Sequence, residues 1–298
     1  MGLEVVLPTG EIIHTGSKAI RKPAGPDMTR LFVGGEGLFG VITSIRLRLR
    51  PRLLETKMGV AIFQTIHDAD RAVQEIFWRR TPYPIWLELL DKRFTAMGFK
   101  EAGLDDPGGA CLQIVTDGAM SGEAGWKLER ILDACRSLDP KQARVINDEN
   151  ERVALIRARE LPMKVLRKVY LGPPIDPPLS KLPEVIDAIY ELRKKITTID
   201  PAKVDLMVFG HVGGITIHAA ASVPRYADAK THWKLVKEWL NLVITEISLK
   251  YDCGWGEQGI FPAHVSWFKG HYGEKTYELL RGMKSVFDPN NILNPIRI

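Results

Sequence analysis

Residues 56–63, Thr-Lys-Met-Gly-Val-Ala-Ile-Phe, begin the stretch of sequence that decides the fold. This largely apolar run predicts a strand, and Asp68 is suited to cap a following helix whose apolar residues recur at helical spacing. The next elements are strand-like runs at 85–90, 111–116 and 143–146 and a helix at 121–138. That helix is expected to turn Trp126 inward. The order β-α-β-β-α-β is that of the ferredoxin-like arrangement.

Beyond residue 146 the sequence predicts a partial second copy of this pattern. Residues 147–169 read as a helix that is broken near Pro162, because proline in a helix interior removes a hydrogen bond. The later elements are a helix at 180–196, strands at 203–212 and 215–222, and helices at 228–250 and 274–286. The sequence therefore predicts an α+β fold in which an antiparallel sheet is covered by helices.

On the N-terminal side, the chain reads as short strands and turns without a helix of useful length. Two strands, at 3–7 and 11–15, flank the hairpin signal Pro-Thr-Gly, and two more, at 30–33 and 41–50, flank the glycine-rich segment 34–40. Alternating arginines and aliphatic residues at 45–50 predict a half-buried strand with a basic face or, alternatively, a contact with another chain. A β piece this small cannot bury its own faces, so we expect it to pack on something larger.

The composition excludes several classes of protein. The chain has 298 residues, 45% hydrophobic and 26% charged, which is typical of a globular protein with one large or two modest domains. No run reaches the roughly 18 apolar residues of a membrane span, and Glu4 is out of place in a signal peptide. Cys111, Cys135 and Cys253 are too scattered for a disulfide framework, so a reducing cytoplasm is expected. The basic residues are spread along the chain, which argues against a nucleic-acid partner.

The segment 210–218, Gly-His-Val-Gly-Gly-Ile-Thr-Ile-His, is the first that could carry chemistry. Its Gly-Gly pair predicts a two-residue hairpin turn, which sets His211 opposite Thr216. His218 then lies two residues further, on the same sheet face as His211, and such diagonal neighbours are roughly 7–8 Å apart at the backbone. Both imidazoles could therefore bind one metal ion. The alternative is two unrelated histidines, one of them a core residue.

The segment 253–259, Cys-Gly-Trp-Gly-Glu-Gln-Gly, is the second candidate. Its three glycines predict unusual turns or a close backbone approach. Glu257 is the only acid in it and could complete a His-His-Glu ligand set, which suits zinc or manganese. The alternative is an ordinary glycine loop with a solvated acid. His264 follows closely, so a role for it at the site is open.

Together these segments resemble the FAD-linked oxidases related to D-lactate dehydrogenase, glycolate oxidase and D-2-hydroxyglutarate dehydrogenase, which are vanillyl-alcohol-oxidase-like flavoproteins. The family's Gly-Ser-Glu-Gly-Thr-Leu-Gly-Ile-Ile-Thr resembles residues 34–43, and its Gly-His-Val-Gly-Asp-Gly-Asn-Leu-His resembles 210–218. Its Gly-Glu-His-Gly-Ile matches 256–260 except that Gln258 replaces the histidine. Its Phe-Asp-Pro-x-Asn-Ile-Leu-Asn-Pro is nearly identical to 287–295.

The resemblance implies an enzyme that oxidises a 2-hydroxy acid, such as D-lactate or glycolate, by hydride transfer to FAD. It implies that His211, His218 and Glu257 hold Zn or Mn. Arg159, with Arg157 as a rival, would pair with the substrate carboxylate, and His264 could replace the missing base. The residues that it places against FAD are Gly35, Glu36, Gly37, Leu38, Gly40, Val41 and Asn294.

The resemblance also implies a domain organisation. Residues 1–52 correspond to the C-terminal portion of a FAD-binding domain. Residues 53–298 form the cap or substrate domain, whose last part, from about residue 254, returns to the flavin site. The family's pyrophosphate loop would lie upstream of Met1, so the missing half is expected to come from a partner polypeptide or from upstream sequence. Gly-Ile-Thr in place of the family's Asp-Gly-Asn at 214–216 removes polar groups from the site. The alternative, favoured by Gln258 and by the missing FAD loop, is a non-catalytic or degenerate subunit.

Overall fold

The computed structural model describes residues 1–19, 25–49, 53–79, 81–166, 170–171, 173–222, 228–255, 257, 259 and 265–298. The chain divides into two compact units. One comprises Met1–Pro51 with Gly259–Ile298, and the other comprises Arg52–Gln258. We call them the N/C unit and the central unit.

The strands are β1 (Gly2–Val6), β2 (Ile12–Gly16), β3 (Val41–Arg46), β4 (Glu55–Phe63), β5 (Trp86–Leu90), β6 (Ala110–Gly118), β7 (Gln142–Ile146), β8 (Tyr170–Leu171), β9 (Pro174–Ile175), β10 (Asp205–His211) and β11 (Thr216–Ser222). The α-helices are α1 (Met28–Phe32), α2 (Ile66–Trp78), α3 (Lys92–Ala102), α4 (Glu123–Arg136), α5 (Glu149–Leu166), α6 (Leu182–Leu192), α7 (Ala229–Leu242), α8 (Val265–Tyr272) and α9 (Glu274–Phe287). A π-helical stretch, Val243–Ser248, extends α7.

The central unit is built on one antiparallel sheet with the strand order β7-β4-β6-β5-β10-β11-β8, and β9 pairs with β11. Its first four strands have the spatial order 4-1-3-2 when numbered along the chain, which is that of the ferredoxin-like arrangement. The predicted α+β class and the antiparallel sheet are therefore confirmed. The hairpin β10–β11 extends this sheet beside β5 and carries the histidine segment.

Alternate residues of β4 pack against different helices, as the period of a strand requires. Met58, Val60 and Ile62 belong to the same core cluster as Phe94 of α3 and Leu155 of α5. The intervening Gly59 faces α4, because a Cβ there would lie 3.0 Å from Leu128 Cδ1. Helices thus cover both faces of the sheet, and hydrophobic burial on the two faces holds the strands in register.

Helix α3 is an element that the sequence reading missed. Its N-cap is Asp91, whose side chain accepts a hydrogen bond from Phe94 N, and it ends at Gly103 in the left-handed conformation. Its buried face includes Phe94 and Phe99. The segment reads as a polar connection because Lys and Arg residues surround these apolar positions, but Asp and Gly at its ends are helix-capping residues.

Three further expectations for the central unit are wrong. The N-cap of α2 is Thr65 rather than Asp68, which lies at the third helical position and completes a capping box. Trp126 is exposed rather than turned inward. Helix α5 continues through Pro162 to Leu166, so the proline does not break it.

The N/C unit contains a second, three-stranded antiparallel sheet in the order β2-β1-β3. Its core cluster comprises Leu3, Val5, Phe32, Leu38 and Phe39. The Phe287 ring at the end of α9 lies 5.8 Å from the Phe32 ring and 5.4 Å from the Phe39 ring, measured between centroids. The C-terminal residues of the chain therefore complete the core of the N-terminal strands.

Two expectations for the N/C unit are also wrong. Residues 30–33 are not a strand, because Asp27 caps the short helix α1 there by accepting a hydrogen bond from Arg30 N. The half-buried strand expected at 45–50 is not formed over the described residues 45–49, since β3 ends at Arg46 and its side chains are exposed. Ile45, Leu47 and Leu49 are 61%, 71% and 87% exposed. Among the residues that the structure describes, no element covers these side chains, because the small sheet β2-β1-β3 leaves them facing solvent.

None of the described helices is long and apolar enough to cross a membrane. The three cysteines are buried free thiols. Burial raises the pKa of Cys111 to about 12, so this thiol remains protonated and unreactive at neutral pH.

Candidate metal centre

The hairpin β10–β11 brings the two histidines together in the register expected from the sequence. His211 pairs with Thr216 and Gly210 pairs with Ile217. The imidazole rings of His211 and His218 are 6.0 Å apart between centroids, and the His218 ring stacks on Phe209 at 4.9 Å. His218 is buried and His211 is half-exposed. The pair therefore lies at one edge of the core with one imidazole open to a ligand.

Glu257 completes the group of three that the sequence suggested. Its two carboxylate oxygens lie 3.6 Å from His211 Nε2 and 3.4 Å from His218 Nε2. One potential ligand atom from each of the three residues lies within 4.8 Å of the other two. All three residues belong to the central unit.

Two reciprocal backbone hydrogen bonds hold the start of the loop that carries Glu257. Asp176 N donates to Gly254 O at 3.0 Å, and Gly254 N donates to Asp176 O at 2.9 Å. The carboxylate of Asp176 in turn accepts a hydrogen bond of 2.8 Å from Thr216 Oγ1, opposite His211. The hairpin and the glutamate loop are thereby linked through one aspartate.

The geometry and the donor types fit a divalent metal ion. Zinc binds imidazole nitrogen and carboxylate oxygen at about 2.0–2.1 Å, so tetrahedral ligand atoms are about 3.3 Å apart. The distances from Glu257 to the two histidines exceed that value by only a few tenths of an ångström. Side-chain rotations that bring the three ligand atoms from within 4.8 Å of one another to about 3.3 Å would close the triad around an ion. Imidazole nitrogen is a ligand that zinc prefers and carboxylate oxygen is one that manganese accepts, so both ions are compatible with these donors.

Glu88 is the residue of this site that the sequence reading missed. It lies on β5, pairs in register with His211, and is only 4% exposed. One of its carboxylate oxygens is in hydrogen-bond contact with His211 Nδ1, and the other accepts a hydrogen bond of 2.6 Å from Arg159 Nε. A lone acid inside the apolar strand Trp-Leu-Glu-Leu-Leu is the signal that could have identified it, since buried carboxylates are almost always paired.

Glu88 also dominates the electrostatics of His211. Its hydrogen bond raises the pKa of His211 above the usual value, burial of the imidazole opposes this, and the charge of Glu257 adds to the increase. Arg159 lowers the pKa of His211 by charge repulsion. A metal ion at Nε2 would therefore compete with a proton, since metal ligands must be deprotonated.

Arg159, and not Arg157, lies at the site. Its Nη2 is 3.4 Å from His211 Nε2, and its guanidinium lies 5.1 Å from the centre of the Phe209 ring. Arg157 is exposed on α5. A guanidinium fixed by Glu88 and Phe209 beside the candidate metal ligands is well suited to bind a carboxylate.

A cavity of about 520 Å³ opens next to His211. Its lining residues are Tyr83, Pro84, Ile85, Trp86, Leu87, Glu88, His211, Gly213 and Gly214. The Tyr83 hydroxyl donates a hydrogen bond to Gly213 O and so fastens the hairpin turn to the rim of this cavity. The predicted two-residue Gly-Gly turn is wrong, because β10 ends at His211 and β11 begins at Thr216, so four residues, 212–215, connect the strands. Gly214 N donates to His211 O at 2.9 Å, and Ile215 has φ 57°, a backbone conformation that favours glycine.

The glycine-rich segment expected to contact FAD lies in the N/C unit. Asn294 Nδ2 donates to Glu36 O at 2.5 Å, and a Cβ at Gly37 would lie 2.7 Å from that same nitrogen. The glycine at position 37 is therefore explained by a close contact within the unit. The side chain of Leu38 lies in the unit's core, whereas Val41 is exposed. In this segment, backbone polar groups and the exposed Val41 side chain are available for contact with a cofactor.

Two residues singled out from the sequence, His264 and Gln258, lie outside the described part of the chain. Their roles stay predictions.

Residues 54–298 match the family described as FAD linked oxidases, C-terminal domain, and the chain belongs to this family. The glycolate oxidase subunit GlcD of Bacillus subtilis is 27% identical over 300 residues, which cover 99% of this chain and 62% of that protein. The D-lactate dehydrogenase of Archaeoglobus fulgidus is 29% identical over 308 residues, covering 100% of this chain and 64% of its own length. The resemblance identified from the four motifs is thus confirmed, and the chain spans about three fifths of the length of these relatives.

Solved structures of vanillyl-alcohol-oxidase-like flavoproteins share the fold. The structure of p-cresol methylhydroxylase with substrate bound superposes with a TM-score of 0.76 at 16% identity, over 99% of this chain and 64% of that one. The 4-ethylphenol oxidase of Gulosibacter chungangensis gives a TM-score of 0.70 at 16% identity, over 99% of this chain and 65% of that one.

Proposed function

We propose that this chain is the substrate-binding half of a FAD-dependent oxidoreductase that oxidises a 2-hydroxy acid such as D-lactate or glycolate. The proposal rests on one observation: one potential ligand atom from each of His211, His218 and Glu257 lies within 4.8 Å of the other two. Arg159 lies beside His211. A metal ligand set and a fixed guanidinium together match the hydroxyl and the carboxylate of such an acid. Family membership and the names of the two relatives support the redox chemistry.

In this proposal the substrate loses a hydride from the carbon that bears its hydroxyl and a proton from the hydroxyl oxygen, two electrons in all, and becomes a 2-oxo acid. A divalent cation lowers the pKa of a hydroxyl group, and FAD accepts a hydride. Arg159 would bind the carboxylate and so fix which face of the substrate carbon is presented. The metal ligands would be His211, His218 and Glu257. His264 is our candidate for the base that takes the hydroxyl proton.

The cofactor side of the proposal rests on the N/C unit. The backbone of Gly35, Glu36 and Gly37, the exposed Val41 and the amide of Asn294 would contact FAD. A further polypeptide segment would supply the rest of the FAD site, and the exposed Ile45, Leu47 and Leu49 offer it an apolar surface. The relative from Bacillus subtilis is named as a subunit of glycolate oxidase, and this name supports the proposal of a partner. The three buried thiols support a reducing, cytoplasmic setting.

Ligand binding by the metal-loaded chain tests this function without the cofactor. We expect titration calorimetry with glycolate or D-lactate to show binding that requires Zn²⁺ or Mn²⁺, and acetate or propionate, which lack the hydroxyl, to bind more weakly. Arg159→Gln should weaken hydroxy-acid binding at least about tenfold, because a charge-assisted contact is lost. Arg157→Gln, two residues away and exposed, is the matched control and should change nothing.

Equal binding of glycolate and acetate, or equal loss in the two arginine variants, would contradict the proposal. That result would favour the alternative, a non-catalytic subunit that keeps the fold and assembles with a partner flavoprotein chain.

A further inference from the structure

One buried carboxylate joins the candidate metal ligands to the candidate substrate arginine. Glu88 contacts His211 Nδ1 with one oxygen and accepts from Arg159 Nε at 2.6 Å with the other. Its position is fixed by the backbone, since it is the direct partner of His211 in the β5–β10 ladder. The three residues come from β5, α5 and β10.

The contact with Glu88 decides which nitrogen of His211 can bind a metal ion. An ionised carboxylate only accepts hydrogen bonds, so the neutral imidazole facing it carries its proton on Nδ1. The lone pair is then on Nε2, the atom that lies 3.6 Å from Glu257 Oε1. Carboxylates in this position also raise the basicity of the ligating imidazole.

We propose that Glu88 is a positioning residue for both halves of the site: it holds His211 in the Nδ1-protonated form with Nε2 directed at the cation, and it holds Arg159 beside that cation. The inference rests on the proposed function, because it assumes that the triad binds a metal.

The two contacts of Glu88 explain why a carboxylate and not an amide is needed. Two N–H donors, His211 Nδ1 and Arg159 Nε, face its two oxygens. Glutamine has one acceptor oxygen and one NH₂ group, so it can satisfy only one of the two donors. In Glu88→Gln either His211 loses its preference for Nδ1 protonation or Arg159 faces a second donor.

Zinc affinity tests the proposal directly. With a chromophoric chelator as competitor, we expect Glu88→Gln to bind Zn²⁺ 10–100-fold more weakly than the unmodified chain, the usual cost of removing such a partner. The control is Asp91→Asn, which removes another buried carboxylate just after the same strand. Asp91 accepts from Phe94 N at 2.7 Å and Val208 N at 2.6 Å. Its loss should lower the Tm while leaving the zinc affinity unchanged.

A second measurement does not depend on a variant that folds. Nitrogen-15 NMR of the histidine side chains, followed to a pH at which the His211 ring has become neutral, should show His211 protonated on Nδ1. Protonation on Nε2 would overturn the proposal, and so would equal zinc affinity in Glu88→Gln and the unmodified chain. If the unmodified chain binds no zinc, the metal part of the proposed function fails, and the tautomer of His211 still decides whether Glu88 positions it.

Discussion

At the scale of single residues, Asp70 on the inner side of α2 is a buried acid outside the candidate site. It is 1% exposed, and its Oδ2 accepts a hydrogen bond of 3.0 Å from Gln74 Nε2. Its Oδ1 has no hydrogen-bond partner among the residues that the structure describes. Burial raises the pKa of Asp70 to about 7, although the Gln74 hydrogen bond opposes the increase. The folded chain therefore binds a proton that the unfolded chain has already released.

This proton makes the free energy of unfolding fall as the pH rises from about 4 to about 7, by up to about 4 kcal/mol. Asp70→Asn should remove that dependence. We expect the variant to be more stable than the unmodified chain at pH 8 and nearly equal to it at pH 4, as measured by urea denaturation at both pH values. Equal stability at pH 8 would show that Asp70 is solvated in the folded protein.

Residues of the candidate metal site that are neighbours along the chain could be predicted from the sequence, whereas a distant one could not. The spacing of Gly213, Gly214 and the two histidines predicts the hairpin register because all of these residues are neighbours along the chain. Glu88 could not be placed in the same way, since it lies 123 residues from His211 and 71 from Arg159. Contacts over such separations depend on the packing of the whole sheet and leave no local pattern.

At the scale of elements, helices α3 and α5 approach closely at a glycine. A Cβ at Gly98 would lie 2.0 Å from Ala158 O and 3.2 Å from Pro162 Cγ. Pro162 thus packs against α3 while α5 continues past it. The sequence predicts a break in α5 near Pro162, but this part of α5 is helical and packs closely against α3.

Two glycines in helices of the central unit should therefore respond in opposite ways to the same substitution. Gly98→Ala should destabilise the chain by about 1–3 kcal/mol, because the added methyl group overlaps α5. Gly125→Ala in α4, where an added Cβ meets nothing within 4 Å, should stabilise it by about 0.5–1 kcal/mol. Thermal denaturation of both variants checks this pair, and a Gly98→Ala variant at least as stable as the unmodified chain would refute the close contact.

Elements were predictable where one strong pattern covered their whole length. Strands β4, β6, β10 and β11 each contain a largely apolar run, and α4 and α9 have clear helical periodicity. Helix α1 has only five residues, so helical spacing cannot be recognised in it. At 45–50 the alternation of arginine and aliphatic residues is a true strand pattern, but whether its apolar face is covered depends on what packs there and not on the sequence of the strand.

At the scale of the whole molecule, the chain is a member of the FAD linked oxidases whose two compact units carry different candidate roles. The three candidate metal ligands, Glu88 and Arg159 all lie in the central unit. The residues expected to contact FAD lie in the N/C unit. Metal binding should therefore be measurable in the chain without FAD, and this separates the test of the metal site from the test of the cofactor.

The central claim is that His211, His218 and Glu257 bind one divalent metal ion, and its most direct test is the metal content of the chain. After incubation with Zn²⁺ and desalting, elemental analysis should find about one ion per chain, held by the three protein ligands. His218→Ala should lose it, whereas His232→Ala on α7 should keep it. An unmodified chain without metal, or a His218→Ala variant that retains it, would contradict the claim.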